Sequence, residues 1–339
     1  MSGLDFLYLK QEDVIKAGVL DMKQTIEDVE RVFRLYVNGE VIMPPKNLID
    51  FYKDNEYMGH IVSMPCYIKD EVNVVGIKWA AGFPRNPARY GLPLGIDVII
   101  LSDPESGRPL AIMDGTIITA MRTSAVTGLA IKYLANPASR SVGVVGAGVI
   151  GRTTLMALPY CMSKLEEVKI FDIKSEKAKE LVMEFKSTLP IEAVGSLEEA
   201  MRGRDVVITA TTSSTKFIKP EWVEDGYLCI QVGTNEFDDQ VVLKADKIVV
   251  DNWVQIKRYG RSMLSQLYLE GRISEDEILE LPLIVAGKQK GRESPREIIF
   301  FDSFGMACED VIVAYRIYRQ ALDQGLGMRI PLWERPLWK

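Results

Sequence analysis

Apolar positions recur at helical spacing over Met22–Val37, through Ile26, Val29, Val32 and Phe33, and the run stops before Asn38-Gly39. That pattern predicts a helix. Short strand-like runs follow at His60–Met64, Val72–Ala80, Ile96–Leu101 and Leu110–Met113. The last two flank Ser102–Arg108, whose Ser, Asp, Pro and Gly residues predict a hairpin loop. A long helix is predicted over Thr116–Leu134, ending before Asn136-Pro137. Antiparallel strands with one or two helices make this first third an α+β unit.

From Ser141 the pattern changes. Apolar strands at Val142–Val145, Val168–Phe171, Val206–Thr209, Leu228–Val232 and Lys247–Val250 alternate with helical segments such as Ile150–Pro159 and Ser175–Phe185. Such alternation predicts βαβ units and a doubly wound parallel sheet of the Rossmann type, so the fold class is α/β. Gly305–Leu322 returns to helical spacing through Ala307, Val311, Val313, Ala314, Ile317 and Ala321, and closes at Gly325. A C-terminal helix of this kind is expected to pack back on the first domain. The tail, with Trp333, Pro336 and Trp338, carries enough apolar surface to dock on the body or on a second subunit.

Composition narrows the chemistry. Among 339 residues, 47% are apolar and 26% charged, with a net charge of −6, which describes an ordinary globular protein. There is one histidine, His60. A Ser-His-Asp or Cys-His hydrolase, or a multi-histidine metal centre, would have to be built on that single ring, and these classes are excluded. His60 itself, near the start of a strand, reads as a structural residue. Cys66, Cys161, Cys229 and Cys308 form no close pair, so they read as buried and reduced in a cytoplasmic protein. Met1–Lys10 carries Asp5 and Lys10 without a long apolar core, and no secretory signal is expected. The longest apolar run, around Val142–Ile150, is too short to span a membrane. Net acidity argues against nucleic acid as a partner. The basic stretch Lys288–Arg296 holds Gly291, Glu293 and Pro295 and reads as a solvated loop.

The strand at Val142–Val145 runs into Gly146-Ala147-Gly148-Val149-Ile150-Gly151, a GxGxxG sequence with a helix directly after it. Gly146 permits the tight turn, Gly148 lets the backbone approach a pyrophosphate, and Gly151 allows close packing, while the helix start offers amide donors. Asp172 closes the next strand and is placed to accept from ribose hydroxyls. That choice favours NAD over NADP, a preference that Lys174 and Ser175 soften. Thr211 and Thr212, after the fourth strand, fit either the nicotinamide side of such a site or an ordinary turn.

Two cations stand where apolar neighbours predominate. Period-two alternation puts Lys78 on one strand face with Val74, Gly76 and Ala80, which fits a ligand pocket and a solvated face equally. Arg122 has Ile118, Ala125, Val126 and Leu129 as its helical neighbours. A guanidinium there needs an anion, either a structural acid or a substrate carboxylate. Lys46, after Pro44-Pro45, is a third candidate. Arg85 and Arg89 fit a second carboxylate site or exposed loop charges. A dinucleotide with such cations points to hydride exchange with an α-amino or α-imino acid, with lysine as a general acid or base.

Gly76-Ile-Lys78-Trp79, Asn86-Pro87, the Ser102–Gly107 segment, Met121-Arg122-Thr123, the Gly146–Gly151 fingerprint and the Ser303–Asp310 segment occur in this order. Together they resemble the ornithine cyclodeaminase/μ-crystallin family over essentially the full length. The resemblance implies residues 1–124 as a substrate and dimerisation domain, to which 316–339 return, and 125–315 as the Rossmann domain. It implies a homodimer, NAD or NADP as cofactor, and small amino acids or imines as substrates. It also assigns Lys78 and Arg122 to the substrate carboxylate, Lys78 to proton transfer and Thr123 to the cofactor. Two positions depart from the cyclodeaminase pattern: Lys46 replaces an arginine, and Asn235, beside Glu236, replaces the catalytic aspartate. The expectation is therefore an oxidoreductase of CH–NH or C=N bonds, with cyclodeamination or simple ligand binding as alternatives. Lys46 with Val249–Gln255 and Gln266–Gly271 is similar to the branch that oxidises N-(2-amino-2-carboxyethyl)-L-glutamate toward 2,3-diaminopropionate.

Overall fold

A computed structural model of the chain describes residues 3–213 and 215–338. The chain divides into two compact units, Met1–Arg122 with Met306–Lys339, and Thr123–Gly305. The returning segment thus starts at Met306, earlier than the expected residue 316, because the helix Ala307–Asp323 belongs to the first unit as a whole.

The first unit is a sheet with the order Met328–Trp333, Leu4–Leu9, Pro109–Asp114, Gly95–Ser102, Val74–Gly82, Glu56–Ile68 and Val41–Ile42, and Asn47–Lys53 also pairs with Glu56–Ile68. All neighbours are antiparallel except Leu4–Leu9 with Pro109–Asp114. Gly95–Ser102 and Pro109–Asp114 form the expected hairpin. Its turn is held by Asp103, which accepts from the Glu105 amide and the Ser106 hydroxyl. One face of the sheet packs on Ala307–Asp323, which also packs on Met22–Val37. Ile99 and Leu101 point to that face and are fully buried, while Ile96, Val98 and Trp79 point the other way and stay exposed.

Four strands of this unit escaped the pattern reading: Leu4–Leu9, Val41–Ile42, Asn47–Lys53 and Met328–Trp333. Leu4–Leu9 and Met328–Trp333 pair with each other, and Asn47–Lys53 is largely exposed. Met328–Trp333, Val41–Ile42 and Asn47–Lys53 lie at the sheet's rim, where strands bury little and alternation is weak, whereas Leu4–Leu9 lies one strand in and buries Leu7 and Leu9. The C-terminal tail enters the sheet through Met328–Trp333, but Trp338 remains 93% exposed.

The second unit is an all-parallel sheet. Its order is Ile191–Ala193, Glu167–Phe171, Ser141–Val145, Val206–Thr209, Leu228–Gln231, Ile299–Asp302, Lys247–Val250 and Ile278–Glu280. From Ser141–Val145 the chain builds outward on one side and then restarts on the other at Val206–Thr209. This is the strand order of the doubly wound dinucleotide fold, and the reversal marks where ligands bind, at the carboxyl ends of the strands. Ile299–Asp302 was not anticipated. It is four buried residues inserted between two predicted strands, and a continuous apolar run of that length has no period to read.

The basic stretch Lys288–Arg296 is more than a solvated loop. Arg292 is partly buried and donates to the carbonyls of Leu134 at 2.7 Å and Tyr227 at 3.2 Å, tying the loop to the unit's body. Three of the cysteines are buried and Cys161 is half-buried, and none of the four is in a disulfide. No helix among the described residues is long and apolar enough to cross a membrane.

Candidate functional site

In the second unit the strand Ser141–Val145 ends in the glycine loop, and Val149–Cys161 starts directly after it. Gly146 has φ +107°, and a Cβ on it would lie 2.5 Å from the Ala210 carbonyl oxygen. A side chain on Gly151 would overlap the Gly146 carbonyl, so loop and helix meet as closely as backbones can. Gly148 has no atom near its missing Cβ, which leaves its backbone open on that side. Val149 is exposed and Ile150 half-buried at the helix start. This cradle fits a pyrophosphate. Asp172 follows the next strand and accepts from the Ala147 amide at 2.8 Å through Oδ2 and from the Lys174 amide through Oδ1. The carboxylate is thus fixed beside the glycine loop, where a ribose belongs.

Glu236 lies deeper at the same strand ends and is fully buried. Its Oε2 accepts from the Thr209 hydroxyl at 2.6 Å and the Gly233 amide at 3.0 Å. Its Oε1 accepts from the Thr211 amide at 2.8 Å and the Thr211 hydroxyl at 2.5 Å. Four donors from two loops hold one carboxylate, so Glu236 clamps the loops after Val206–Thr209 and Leu228–Gln231 together. Burial raises its pKa against the pull of those donors. Gln231 completes the clamp. Its Oε1 accepts from the Glu236 amide at 2.8 Å, and its Nε2 donates to the Thr234 carbonyl and to Asp302 at 3.2 Å. Asn235 is half-buried at the turn of this loop, and Thr212 is exposed. Asp302 is pushed up to about 8 by burial, with Asp251 and Glu236 adding like charge.

The first unit holds the cations. Lys78 lies on the buried face of Val74–Gly82, 2% exposed, and its Nζ is 2.8 Å from Asp310 Oδ2. Arg122 is bound through Nε to Asp310 Oδ1 at 3.0 Å and through Nη1 to Glu309 Oε2 at 2.8 Å. Asp310 therefore joins the two cations that the sequence singled out. Burial alone would push its carboxyl up, but Arg122 and Lys78 outweigh that and hold it below the ordinary carboxylate range. Lys78 also donates to the Thr119 hydroxyl at 3.2 Å, and Thr119 donates to Asp97 Oδ2 at 2.5 Å.

Gly76 has a different role from the one its pattern suggested. A Cβ there would lie 2.7 Å from Val311, so the glycine admits the helix Ala307–Asp323 rather than opening space beside Lys78. Nor is Lys78 on a solvated face. Around Arg122 there is no single apolar stripe: the helix Thr116–Leu134 is buried on every side from Ala120 to Ile131. Arg85 pairs with Glu56 and Arg89 lies over the Tyr90 ring, as loop charges do. Lys46 is half-buried between Val41–Ile42 and Asn47–Lys53. Thr123 is buried, and its carbonyl accepts from the Thr127 hydroxyl. His60 is bonded through Nδ1 to the Tyr57 hydroxyl.

Asp97, Thr119, Glu309 and Asp310 were missed as site residues. A signal existed for two of them: adjacent acids in the buried first half of the helix Ala307–Asp323, among Ala307, Cys308 and Val311–Ala314, must meet buried cations.

The family model for ornithine cyclodeaminase/mu-crystallin matches residues 7–325. The chain belongs to this family. A relative from Staphylococcus aureus, N-((2S)-2-amino-2-carboxyethyl)-L-glutamate dehydrogenase, is 31% identical over 97% of this chain and 99% of its own. The structure of Thermococcus litoralis Delta(1)-pyrroline-2-carboxylate reductase in complex with NADH and L-proline is 36% identical and superposes with a TM-score of 0.88, covering 96% of this chain and all of that one. An archaeal alanine dehydrogenase dimer with bound NAD is 35% identical with the same TM-score, over 97% and 100% of the two chains.

Proposed function

We propose that Lys78 and Arg122 hold the carboxylate of an amino or imino acid while its adjacent CH–NH or C=N bond exchanges hydride. The chain is an NAD-dependent oxidoreductase of its family. One observation carries the proposal: two cations, both nearly buried, are brought to one place by a shared partner, Asp310. A guanidinium fork and an ammonium side by side suit a planar carboxylate.

The nucleotide would be held by the Gly146–Gly151 loop, with Ala147, Val149 and Ile150 supplying backbone, by Asp172 at the ribose, and by Thr123, Thr211 and Thr212 nearer the nicotinamide. Bound there, it supplies the acceptor or donor of hydride. Lys78 holds or gives the proton that accompanies hydride at the substrate nitrogen. Glu236 is spent on the loop clamp, and Asn235 carries no acid. The loop thus offers cyclodeamination no free carboxylate, which favours plain oxidation or reduction.

The exposed sheet face of the first unit, with Trp79 at 47% exposure and Ile96 and Val98 beside it in the sheet, supports a homodimer. Cysteines without disulfides among the described residues support a reducing, cytoplasmic setting.

The test is turnover. NAD or NADH is mixed with a panel of amino, keto and imino acids, and the nicotinamide absorbance is followed. The expected result is amino- or imino-acid-dependent turnover that Lys78→Ala and Arg122→Ala each abolish. Turnover intact in either variant overturns the site assignment. Proline formed from ornithine with catalytic NAD establishes cyclodeamination instead, and tight binding without turnover establishes a binding protein.

A further inference from the structure

Counting charge at the cation pair exposes an imbalance. Lys78 and Arg122 bring two positive charges, while Glu309, Asp310 and Asp97 bring three carboxyls. Glu309 and Asp310 are bound directly to the cations. Asp97 is bound to the Thr119 hydroxyl, which stands between it and Lys78. A substrate carboxylate arriving here adds a further negative charge to a group that already has one too many. In a buried site such an excess is relieved by protonation of the acid least well paired with a cation.

We propose that Asp97 takes up a proton when a substrate carboxylate binds, so that this carboxyl is the charge compensator of the site. The inference rests on the carboxylate reading of Lys78 and Arg122. Groups facing Asp97 come from three elements: Lys78 from Val74–Gly82, Thr119 and Arg122 from Thr116–Leu134, and Asp310 from Ala307–Asp323. Burial already raises the pKa of Asp97, Lys78 and Thr119 oppose the rise, and Asp310 adds to it. A second anion beside Lys78 pushes in the same direction as Asp310. Thr119 is half-buried where Asp97 is 6% exposed, and its hydroxyl bridges Lys78 and Asp97, so the ammonium can serve as an immediate source of the proton. In that exchange Lys78 gives a proton to the Thr119 oxygen while Thr119 gives its own to Asp97. An ion pair becomes a neutral amine and a neutral acid, and solvent then reprotonates the amine. Asp97 is a positioning residue in this account, acting through Lys78.

Calorimetry tests the proposal. Enzyme saturated with NADH is titrated with L-alanine and with L-proline, neither oxidisable by the reduced cofactor, in buffers of different ionisation enthalpy at mildly alkaline pH. Wild type is expected to take up about one proton more per ligand bound than Asp97→Asn, and its Kd to rise by about tenfold per pH unit relative to the variant. Asparagine mimics the protonated acid, so the variant is expected to bind at alkaline pH as wild type does at lower pH. Equal proton counts in the two proteins overturn the inference and leave the site reading standing. If Asp97→Asn does not fold, wild-type binding with neither proton uptake nor a rise of Kd with pH overturns it equally. Binding that is absent, or unchanged in Arg122→Ala, overturns the carboxylate site and the inference with it.

Discussion

The carboxylates of Glu309 and Asp310 in the first unit face a guanidinium and an ammonium, whereas those of Glu236 and Asp251 in the second face amides and hydroxyls. Both sets are buried to within 1% of completely. Their electrostatic outcomes differ. Asp310 is held below the ordinary carboxylate range, while Glu236 and its neighbour Asp302 are raised above it. Full charges offset the loss of hydration; neutral dipoles offset only part of it. An acid paired with cations leaves those cations able to meet a second anion. An acid saturated by loop donors is a fastener, and the fastened loops lie where the sheet presents its ligands.

Arg122→Ala breaks this comparison most severely. It leaves Glu309 and Asp310 buried without their guanidinium, and loss of one partner from a buried pair costs about 3–5 kcal/mol. Amino-acid-dependent turnover should vanish, and the thermal unfolding midpoint should fall sharply. Arg122→Lys should recover part of the stability, because charge returns, but less of the turnover, because the fork does not.

Asp302 supplies the opposite sign. Its folded value of about 8 lies above the ordinary 3.8, so the unfolded chain gives up this proton first. Its contribution to stability is therefore full below pH ~4 and falls by up to about 1.4 kcal/mol per pH unit as pH rises toward its folded value. Asp302→Asn should flatten that decline in urea-unfolding free energies measured across this range. For Asp310 the sign reverses: its folded value is lowered, and its contribution is lost only as pH falls through that value. A wild-type stability curve unaffected by Asp302→Asn would show that the two units do not differ as described.

Glu236→Gln is gentler. An amide keeps one acceptor oxygen but presents hydrogens to two of the four donors now bound by the carboxylate. A cost of about 1–3 kcal/mol follows from the unmade bonds. Because the clamp orders loops at the nucleotide end of the sheet, the KM for NAD should rise while the variant stays folded. An unchanged KM with lowered stability would make the clamp purely structural.

How much of this was readable beforehand follows the physics of each signal. The helices Met22–Val37, Thr116–Leu134 and Ser175–Phe185 and the strands Val206–Thr209 and Lys247–Val250 match their predicted limits, because sharp changes of polarity bound them. Lys78 and Arg122 were legible as charges among apolar residues. Asp310 was not read as their partner, since contact across 232 positions from Lys78 leaves no trace in local spacing. Asp97 is a charge within the apolar run Ile96–Leu101 whose partner leaves no local trace, and Thr119 is a neutral hydroxyl on a helix. Glu236 stood out beside Asn235, but its commitment to Thr209 and Thr211 depends on a loop geometry that no period encodes.

The smallest effect is expected at the single histidine. His60 pairs with Gly82 across the sheet, is half-buried, and binds the neighbouring Tyr57 hydroxyl at 2.7 Å. Its ring packs where a side chain on Gly82 would stand, so it fills a space on the strand. His60→Gln keeps a polar group of similar reach. The change should cost no more than about 0.5 kcal/mol, as for surface positions without a special feature. The pH–rate profile should keep its shape, because the proposed proton movement runs through Lys78 and Asp97. A lost or shifted limb near the ordinary imidazole range in His60→Gln would return acid–base chemistry to the histidine and take it from Lys78 and Asp97.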